Sequence, residues 1–214
     1  MIGFVGGTGS EGKGLALRFA LGGEDVFVGS RDANRSDAVA AEIATYSPVG
    51  EIFSGLNQDA AREADVIFLT IPFDFHASVI KSLEPELRGK IVVDVSVPMR
   101  FCEKEIFAIE VDDGSAAEQA QVLLPGSKIV GAFHTVSAID LLVHDRLLNS
   151  DVIVCSEDEY AKNVVMQLAE LIQGVRAVDG GNLSNAAFLE KFTVLLIKIN
   201  RIYKAHSSIK LVGI

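Results

Sequence analysis

Three glycines near the start of the chain have the spacing of a dinucleotide-binding turn. They are Gly7, Gly9 and Gly12, in the stretch FVGGTGSEGKG that follows a short apolar run. In this motif the first glycine permits a tight turn, the second lets the backbone approach a pyrophosphate, and the third lets a helix pack closely on the sheet. The N–H groups and dipole of that helix then stabilise the phosphate charge. Because the motif lies between a strand pattern and a helical pattern, it predicts a dinucleotide site.

The residues after the second apolar run indicate which dinucleotide this site prefers. NAD-specific sites usually carry an Asp or Glu there, whereas this chain has Ser30 followed by Arg31. A hydroxyl and a guanidinium can bind a ribose 2′-phosphate through charge-assisted hydrogen bonds, and Arg35 adds a second cation one helical turn later. Asp32 leaves open the alternative of a solvated helix start with a local ion pair. The pattern favours NADP.

Further candidate residues follow three later apolar runs. Parallel sheets place their ligands at the carboxyl ends of strands, so these positions are expected to meet beside the glycine turn. The prolines among them are also ordinary strand stops. The candidates are Thr70, Ile71, Pro72 and Phe73; Ser96, Val97 and Pro98; and Phe133, His134, Thr135, Val136 and Ser137.

His134 is the only one of the four histidines directly after a predicted strand, and His76 is a second candidate near the same edge. A lone histidine is often structural, so both a structural role and contact with substrate or cofactor remain open for His134. The sequence has no G-x-S-x-G elbow, Cys–His signature or H-E-x-x-H motif. We therefore expect neither nucleophilic hydrolysis nor a metal site.

Apolar runs and helical patterns alternate along the chain as far as residue 180. Such alternation predicts βαβ units and an α/β fold of the Rossmann type, a doubly wound parallel sheet with helices on both faces. Predicted strands are 2–5, 25–29, 51–54, 66–71, 91–97, 129–133, 152–155 and 175–178; predicted helices are 12–20, 37–44, 59–63, 76–83, 116–124 and 157–172.

The stretch DGGNLSN interrupts this pattern, and a long apolar helix is predicted from about residue 184 to 203. We expect an NADP-binding domain over 1–180 and a C-terminal helical segment over 181–214 that contributes to the substrate pocket or a dimer contact. Because the predicted helix is apolar on most sides at 194–197, it should be buried, and a second subunit is one candidate for covering it.

Composition excludes several classes of protein. The chain has 214 residues and a net charge of −10, which argues against nucleic acid as a partner. No apolar run is long enough to span a bilayer, and no basic segment precedes a signal core, so no membrane association is expected. Cys102 and Cys155 have no metal-binding or redox spacing. Reduced thiols in a cytoplasmic protein are the simplest interpretation.

The segments GGTGSEGKGLALRFA, VGSR, LTIPF, GAFHTV and NLSN resemble, in order and through nearly all the chain, the NADPH-dependent F420 reductases, also called F420H2:NADP oxidoreductases. The resemblance implies a Rossmann domain followed by a small helical part, assembled as a homodimer. It also implies hydride transfer between the nicotinamide of NADP(H) and the deazaflavin ring of coenzyme F420.

The resemblance also implies roles for particular residues. It places Thr8, Gly9, Ser10 and Glu11 at the pyrophosphate, Ser30, Arg31 and Arg35 at the 2′-phosphate, and Ile71, Val97, His134, Val136 and Ala138 about the two rings. Three departures lie near the redox site: Phe73 replaces a tryptophan, Ser137 replaces a proline, and the segment after TIP is one residue longer. Another NADP-dependent reductase, such as an imine or ferric/flavin reductase, and a non-catalytic NADP-sensing protein therefore remain alternatives.

The C-terminal segment differs in charge from the rest of the chain. From 182 to 214 it carries Lys191, Lys198, Arg201, Lys204 and Lys210 against a single acid, Glu190, a net charge of +4. One interpretation is a solvated helix surface. The other is a basic strip, with Lys204 and Lys210 foremost, that faces the phosphate and oligoglutamate tail of F420.

Overall fold

The computed structural model describes residues 1–103 and 105–214. Its strands are β1 (Ile2–Val5), β2 (Val26–Ser30), β3 (Ile52–Leu56), β4 (Val66–Leu69), β5 (Ile91–Asp94), β6 (Met99–Cys102), β7 (Glu105–Ala108), β8 (Lys128–Gly131), β9 (Ser150–Val154) and β10 (Val175–Asp179). Its helices are α1 (Ser10–Leu21), α2 (Ala33–Ala44), α3 (Asn57–Glu63), α4 (Phe73–Leu87), α5 (Ala116–Leu123), α6 (Ala138–Leu141), α7 (Glu159–Glu170) and α8 (Ala186–Tyr203). A short 3-10 turn, Leu183–Asn185, leads into α8.

Six strands form one parallel sheet in the order β3-β2-β1-β4-β5-β8. On β1, Phe4 is the register partner of Val28 on one side and of Phe68 on the other. The central strands are short runs of buried apolar residues, as parallel strands covered on both faces require. The order is that of the doubly wound dinucleotide-binding fold, which confirms the predicted fold class.

Helices cover both faces of this sheet because neighbouring strand residues point to opposite sides. Phe4 packs with Phe19 of α1 on one face, whereas Val5 joins the core that includes Ile80 of α4 on the other. The helix after β1 therefore lies on one face of the sheet, and the helix after β4 lies on the other. An opening between the carboxyl ends of two adjacent strands is the expected ligand position in such a sheet.

Two predicted strands lie outside the six-stranded sheet. β9 and β10 pair in parallel with each other, and an antiparallel bridge between Gly131 and Cys155 joins them to the edge of the main sheet. The antiparallel pair β6–β7 was not expected from the sequence. Most of its residues are exposed or partly exposed, so it lacks the buried apolar run that identified the other strands.

Helix α8 is buried along one face only. Val194 and Leu196 are buried as expected, but Leu195 between them is 47% exposed. The expected burial of α8 is therefore found on one face within this chain, and the outward face, for which a second subunit is the expected cover, stays uncovered. No helix in residues 1–103 and 105–214 has the length and hydrophobicity needed to cross a bilayer.

Candidate active site

The turn between β1 and α1 leaves a helix N-terminus open to a large cavity. Gly6 has a φ of +81°, so it is the left-handed residue of the turn, and its N–H donates to Asn57 Oδ1 at 3.0 Å. Helix α1 begins at Ser10, and Gly9 at the N-cap has no side chain to occupy the first N–H groups. These donors and the helix dipole form a ready site for a phosphate group.

Gly7 and Gly12 do not line the cavity; they allow α1 to lie against the sheet. A Cβ atom on Gly12 would be 2.5 Å from Thr70 Oγ1 and 2.8 Å from Gly7 Cα. Such a contact is too short for any side chain, so the third glycine of the motif is a packing requirement. Gly7, to which the sequence assigned the tight turn, lies inside the turn that the Gly9 N–H closes on the Gly6 carbonyl at 3.3 Å, while the left-handed residue is Gly6.

At the end of β2, Ser30 is buried and its Oγ accepts the Asp32 N–H at 3.3 Å. The Asp32 carboxylate accepts the Asn34 N–H at 3.0 Å and so caps helix α2. Arg31 extends instead over the ring of Phe75, with Cζ 5.4 Å from the ring centroid. This arrangement favours a binding role for Arg31 over the alternative of a local ion pair with Asp32.

A buried ion pair supports the end of β5. His76 Nε2 lies 2.6 Å from Asp94 Oδ2, and His76 Nδ1 lies 2.9 Å from Gln119 Oε1. Burial disfavours the charged imidazole, but Asp94 outweighs it and raises the pKa of His76. The other Asp94 oxygen accepts the Ser96 N–H at 2.8 Å. His76 is outside the described cavity lining, so the structure gives this second candidate a structural role.

His134 faces the cavity because the residue before it has an unusual backbone. Phe133 has a φ of +65°, a conformation that costs a bulky residue about 1–3 kcal/mol. Its ring packs between Phe19 and Phe68, at centroid distances of 6.0 and 5.6 Å, and this packing holds the turn. Among the described residues, neither ring nitrogen of His134 has a hydrogen-bond partner. Burial lowers the pKa of His134 to about 4, so its imidazole is neutral at pH 7.

The C-terminal helix forms the opposite side of the same cavity. Thr193 Oγ1 donates to the His134 carbonyl at 2.8 Å, which joins α8 to the end of the strand region. The buried Glu190 carboxylate accepts the N–H groups of Ala116 and Ala117 at the start of α5. Helix α8 contributes Thr193, Leu196, Ile197, Asn200 and Arg201 to the lining, and its C-cap residue Lys204 also belongs to it.

These elements enclose one cavity of about 1090 Å³. Four of the sequence-predicted candidates, Gly7, Gly12, His76 and Pro98, are outside the described lining. The lining brings together all the others, namely Thr8, Gly9, Ser10, Glu11, Ser30, Arg31, Arg35, Thr70, Ile71, Pro72, Phe73, Ser96, Val97, Phe133, His134, Thr135, Val136, Ser137 and Ala138. Within residues 1–103 and 105–214, no group of three or more His, Cys, Asp or Glu side chains is placed to hold a metal ion.

Comparison with known proteins agrees with this geometry. Residues 1–98 match the family described as NADP oxidoreductase, coenzyme F420-dependent. An F420-dependent NADP reductase from Methanocaldococcus jannaschii is 41% identical over 210 residues, which covers 95% of this chain and 94% of the relative. The chain belongs to the F420-dependent NADP reductase family. The reductase of the same name from Methanothermobacter thermautotrophicus is 38% identical, over 93% of this chain and 88% of its own. A solved structure from Arthrobacter sp. FB24 shares the fold, with a TM-score of 0.82, 24% identity and 99% of both chains covered.

In this member of the F420-dependent NADP reductase family, the arginine of the GKGLALR segment has a structural role. Arg18 is buried and its guanidinium donates to the carbonyls of Leu141 at 2.8 Å and Asp140 at 3.0 Å. It thereby holds the segment 138–146 against α1. Since Ala138 and Ile139 line the cavity, Arg18 positions part of the cavity without entering it.

Sequence reasoning missed several lining residues of this F420-dependent NADP reductase family member. Asn57 accepts the Gly6 N–H, and Phe75 lies under Arg31, but neither was a candidate. On α8, which was expected to contribute to the pocket, the sequence did not single out Thr193 or Asn200. The lining residues of α8 recur every three or four positions, so helical periodicity places them on one face of the helix.

Proposed function

We propose that this chain transfers hydride between NADP(H) and the deazaflavin coenzyme F420. The observation that carries the proposal is one continuous cavity, which joins the glycine turn and the β2 cations to an apolar region beside His134. Its volume of about 1090 Å³ is at the upper end of the roughly 300–1,000 Å³ typical of ligand pockets, as a site for a large cofactor requires. The relatives' names supply the identity of the second substrate.

One half of the cavity suits NADP. The N-terminus of α1 offers N–H groups for the pyrophosphate, and Thr8 and Ser10 add hydroxyls beside it. Ser30, Arg31 and Arg35 offer a hydroxyl and two guanidinium groups for the 2′-phosphate. The Asp32 carboxylate caps α2 and is outside the described lining. The end of β2 therefore presents no carboxylate to the described part of the cavity.

The other half suits two stacked planar rings. Ile71, Val97, Val136 and Ala138 present apolar groups, and Leu196 and Ile197 of α8 line the same cavity. The bound nicotinamide and deazaflavin supply the hydride chemistry. The chain contributes orientation and exclusion of water, and fixed positioning of reactants accelerates such transfers strongly. His134, neutral at pH 7, offers one N–H donor and one acceptor that fix ring orientation; an imidazolium is not available there as an acid.

We infer that two copies of the chain associate through the outward face of α8. Phe188, Phe192, Leu195 and Ile202 are exposed and recur at helical spacing along this face. Exposed apolar patches of this extent usually mark an interface. We propose that the chain is divided into an NADP-binding domain over 1–180 and a helical segment over 181–214. In this division, one face of α8 lines the cavity and the other forms the dimer contact. Sedimentation analysis tests the dimer: Leu195→Asp should yield monomers, and a monomeric parent chain would overturn the assignment.

We also infer that the protein works in the cytoplasm. Its two cysteines are free, and burial raises the pKa of the Cys155 thiol to about 11, so that thiol stays protonated and unreactive. Unpaired cysteines are typical of a reducing compartment. The absence of nucleic acid and of membrane association stays a prediction from charge and composition.

Anaerobic mixing of the protein with NADPH and oxidised F420 tests the function. Loss of the deazaflavin absorbance at the rate of NADPH consumption is the expected result. Parallel reactions with an imine, ferric iron and free flavin test the other reductases on this fold. Turnover with one of these and none with F420 would reassign the second substrate. Nucleotide binding without turnover on any acceptor would indicate a sensing protein.

A further inference from the structure

An exposed aromatic ring lies beside the cations that follow β2. Phe75, in the first turn of α4, is 49% exposed and lines the cavity. The guanidinium of Arg31 lies over this ring, with Cζ 5.4 Å from the ring centroid. This separation is within the roughly 6 Å over which a cation is attracted to an aromatic face. The family resemblance assigns the 2′-phosphate to Ser30, Arg31 and Arg35 and gives Phe75 no role.

The contact between Arg31 and Phe75 connects the two strands that flank the glycine turn. Arg31 directly follows β2, and Phe75 belongs to the helix that follows β4. In the sheet, β2 and β4 lie on either side of β1, whose carboxyl end carries the glycine turn. The fold therefore brings the two residues together at the edge where an open parallel sheet binds its ligand.

The first turn of α4 is anchored, so the Phe75 ring extends from a fixed backbone. The Phe75 N–H donates to the Pro72 carbonyl at 3.0 Å, and the Phe75 carbonyl accepts the Ser78 hydroxyl at 2.9 Å. The next residue, His76, is buried and pairs with Asp94 at 2.6 Å. This ion pair ties the turn to the end of β5, while Phe75 stays at the surface of the cavity.

Stacking on Phe75 uses a part of Arg31 that a phosphate does not need. A guanidinium is planar, so its face can lie on an aromatic ring while its N–H donors point outward in the plane. The Asp32 carboxylate next to it in the sequence accepts the Asn34 N–H as the cap of α2. An arginine side chain loses rotamer freedom when it binds a ligand, and a contact that already orders it lowers this cost.

We propose that Phe75 is a positioning residue for Arg31 and thereby sets part of the preference for NADPH over NADH. Its ring holds the guanidinium at the end of β2 with N–H donors available to the 2′-phosphate. NADH lacks this phosphate and gains nothing from an ordered Arg31. The proposal rests on the nucleotide half of the proposed function, and it adds the residue through which Arg31 is positioned.

Fluorescence titrations with NADPH and NADH test this role. Phe75→Leu keeps an apolar side chain and removes the aromatic face. It should weaken NADPH binding about two- to fivefold, the range for an exposed cation–π contact, and leave NADH binding unchanged. Phe75→Tyr keeps the aromatic face and should retain the parent affinity for both nucleotides. In an Arg31→Ala background, Phe75→Leu should have no further effect on NADPH, because the two residues act as a pair.

Phe107→Leu is the matched control. Phe107 also has a cation near its ring, because Lys198 Nζ lies 5.5 Å from the ring centroid. Neither Phe107 nor Lys198 is in the described lining of the cavity. This variant loses a similar cation–π contact and should bind both nucleotides as the parent chain does.

Three results would overturn the positioning role: equal losses for NADPH and NADH in Phe75→Leu, the same loss in Phe107→Leu, or an undiminished Phe75→Leu effect without Arg31. If Arg31→Ala removes the NADPH preference and Phe75→Leu leaves it intact, the positioning role is wrong and NADP binding at β2 stands. If neither substitution changes the preference, the 2′-phosphate is bound elsewhere and the positioning role is overturned as well. These titrations contain no F420, so a failure of hydride transfer would appear only in the anaerobic turnover assay.

Discussion

Replacing Arg31 by alanine should remove most of the preference for NADPH over NADH. Arg31 lies beside the buried hydroxyl of Ser30 at the end of β2 and is not engaged in the cap of α2, which Asp32 provides. A charge-assisted hydrogen bond contributes about 1.5–3 kcal/mol. Arg31 is solvent-exposed, so screening places its contribution at the lower limit, about tenfold in affinity. NADH lacks the 2′-phosphate and should bind with little change.

Dissociation constants for NADPH and NADH, measured by nucleotide fluorescence at one ionic strength, check this prediction. Ser30→Asp should weaken NADPH further, because a carboxylate at this buried position repels the 2′-phosphate. Arg88→Ala is the control, since Arg88 is an exposed arginine paired with Glu84 at 2.7 Å and lies outside the described lining. Equal losses for both nucleotides in Arg31→Ala, or the same loss in the control, would show that the 2′-phosphate is not bound here.

Three further changes test other parts of the site. His134→Ala should lower kcat for hydride transfer and leave the Kd for NADPH nearly unchanged; because burial lowers the pKa of His134 to about 4, the ratio of parent to variant rates should stay constant across neutral pH in stopped-flow measurements. Burial raises the pKa of Glu11 to about 8. As pH rises through 8, the Glu11 carboxyl loses its proton and becomes negatively charged beside the phosphates, so NADPH affinity should fall. Glu11→Gln should remove this pH dependence in fluorescence titrations. Gly12→Ala should lower the free energy of unfolding in urea by about 1–3 kcal/mol, since its Cβ would be 2.5 Å from Thr70 Oγ1. Gly9→Ala is its control, because that Cβ has only Gly6 O nearby, at 3.8 Å, and stability should be spared.

Features that depend on neighbouring residues were predictable from the sequence. The buried runs of β1 and β4 and the helical pattern after Gly12 each lie within a few residues, and they were sufficient to predict a parallel sheet with a dinucleotide turn. The order of Ser30 and Arg31 after a strand likewise places both at its carboxyl end, whatever the rest of the chain does. Strand and helix periodicity is local, so such inferences need no knowledge of distant contacts.

Features that depend on distant partners needed the tertiary structure. His134 and His76 were the first and second candidates, but the sequence could not show that Asp94, 18 residues away, binds His76. The ring nitrogens of His134 have no hydrogen-bond partner among the described residues. Thr193 contacts the carbonyl of His134 across 59 residues, and this contact joins α8 to the cavity wall.

The basic C-terminal segment shows the same limit. Composition could count its cations but could not tell that Asp151 binds Lys210 while Lys204 lines the cavity. Periodicity states which face a residue occupies along its own element, and it carries no information about what the fold packs against that face. The sequence by itself therefore determined the sheet, the glycine turn and the nucleotide preference. Only the packing of α8 and its following chain decided which histidine and which cations line the cavity.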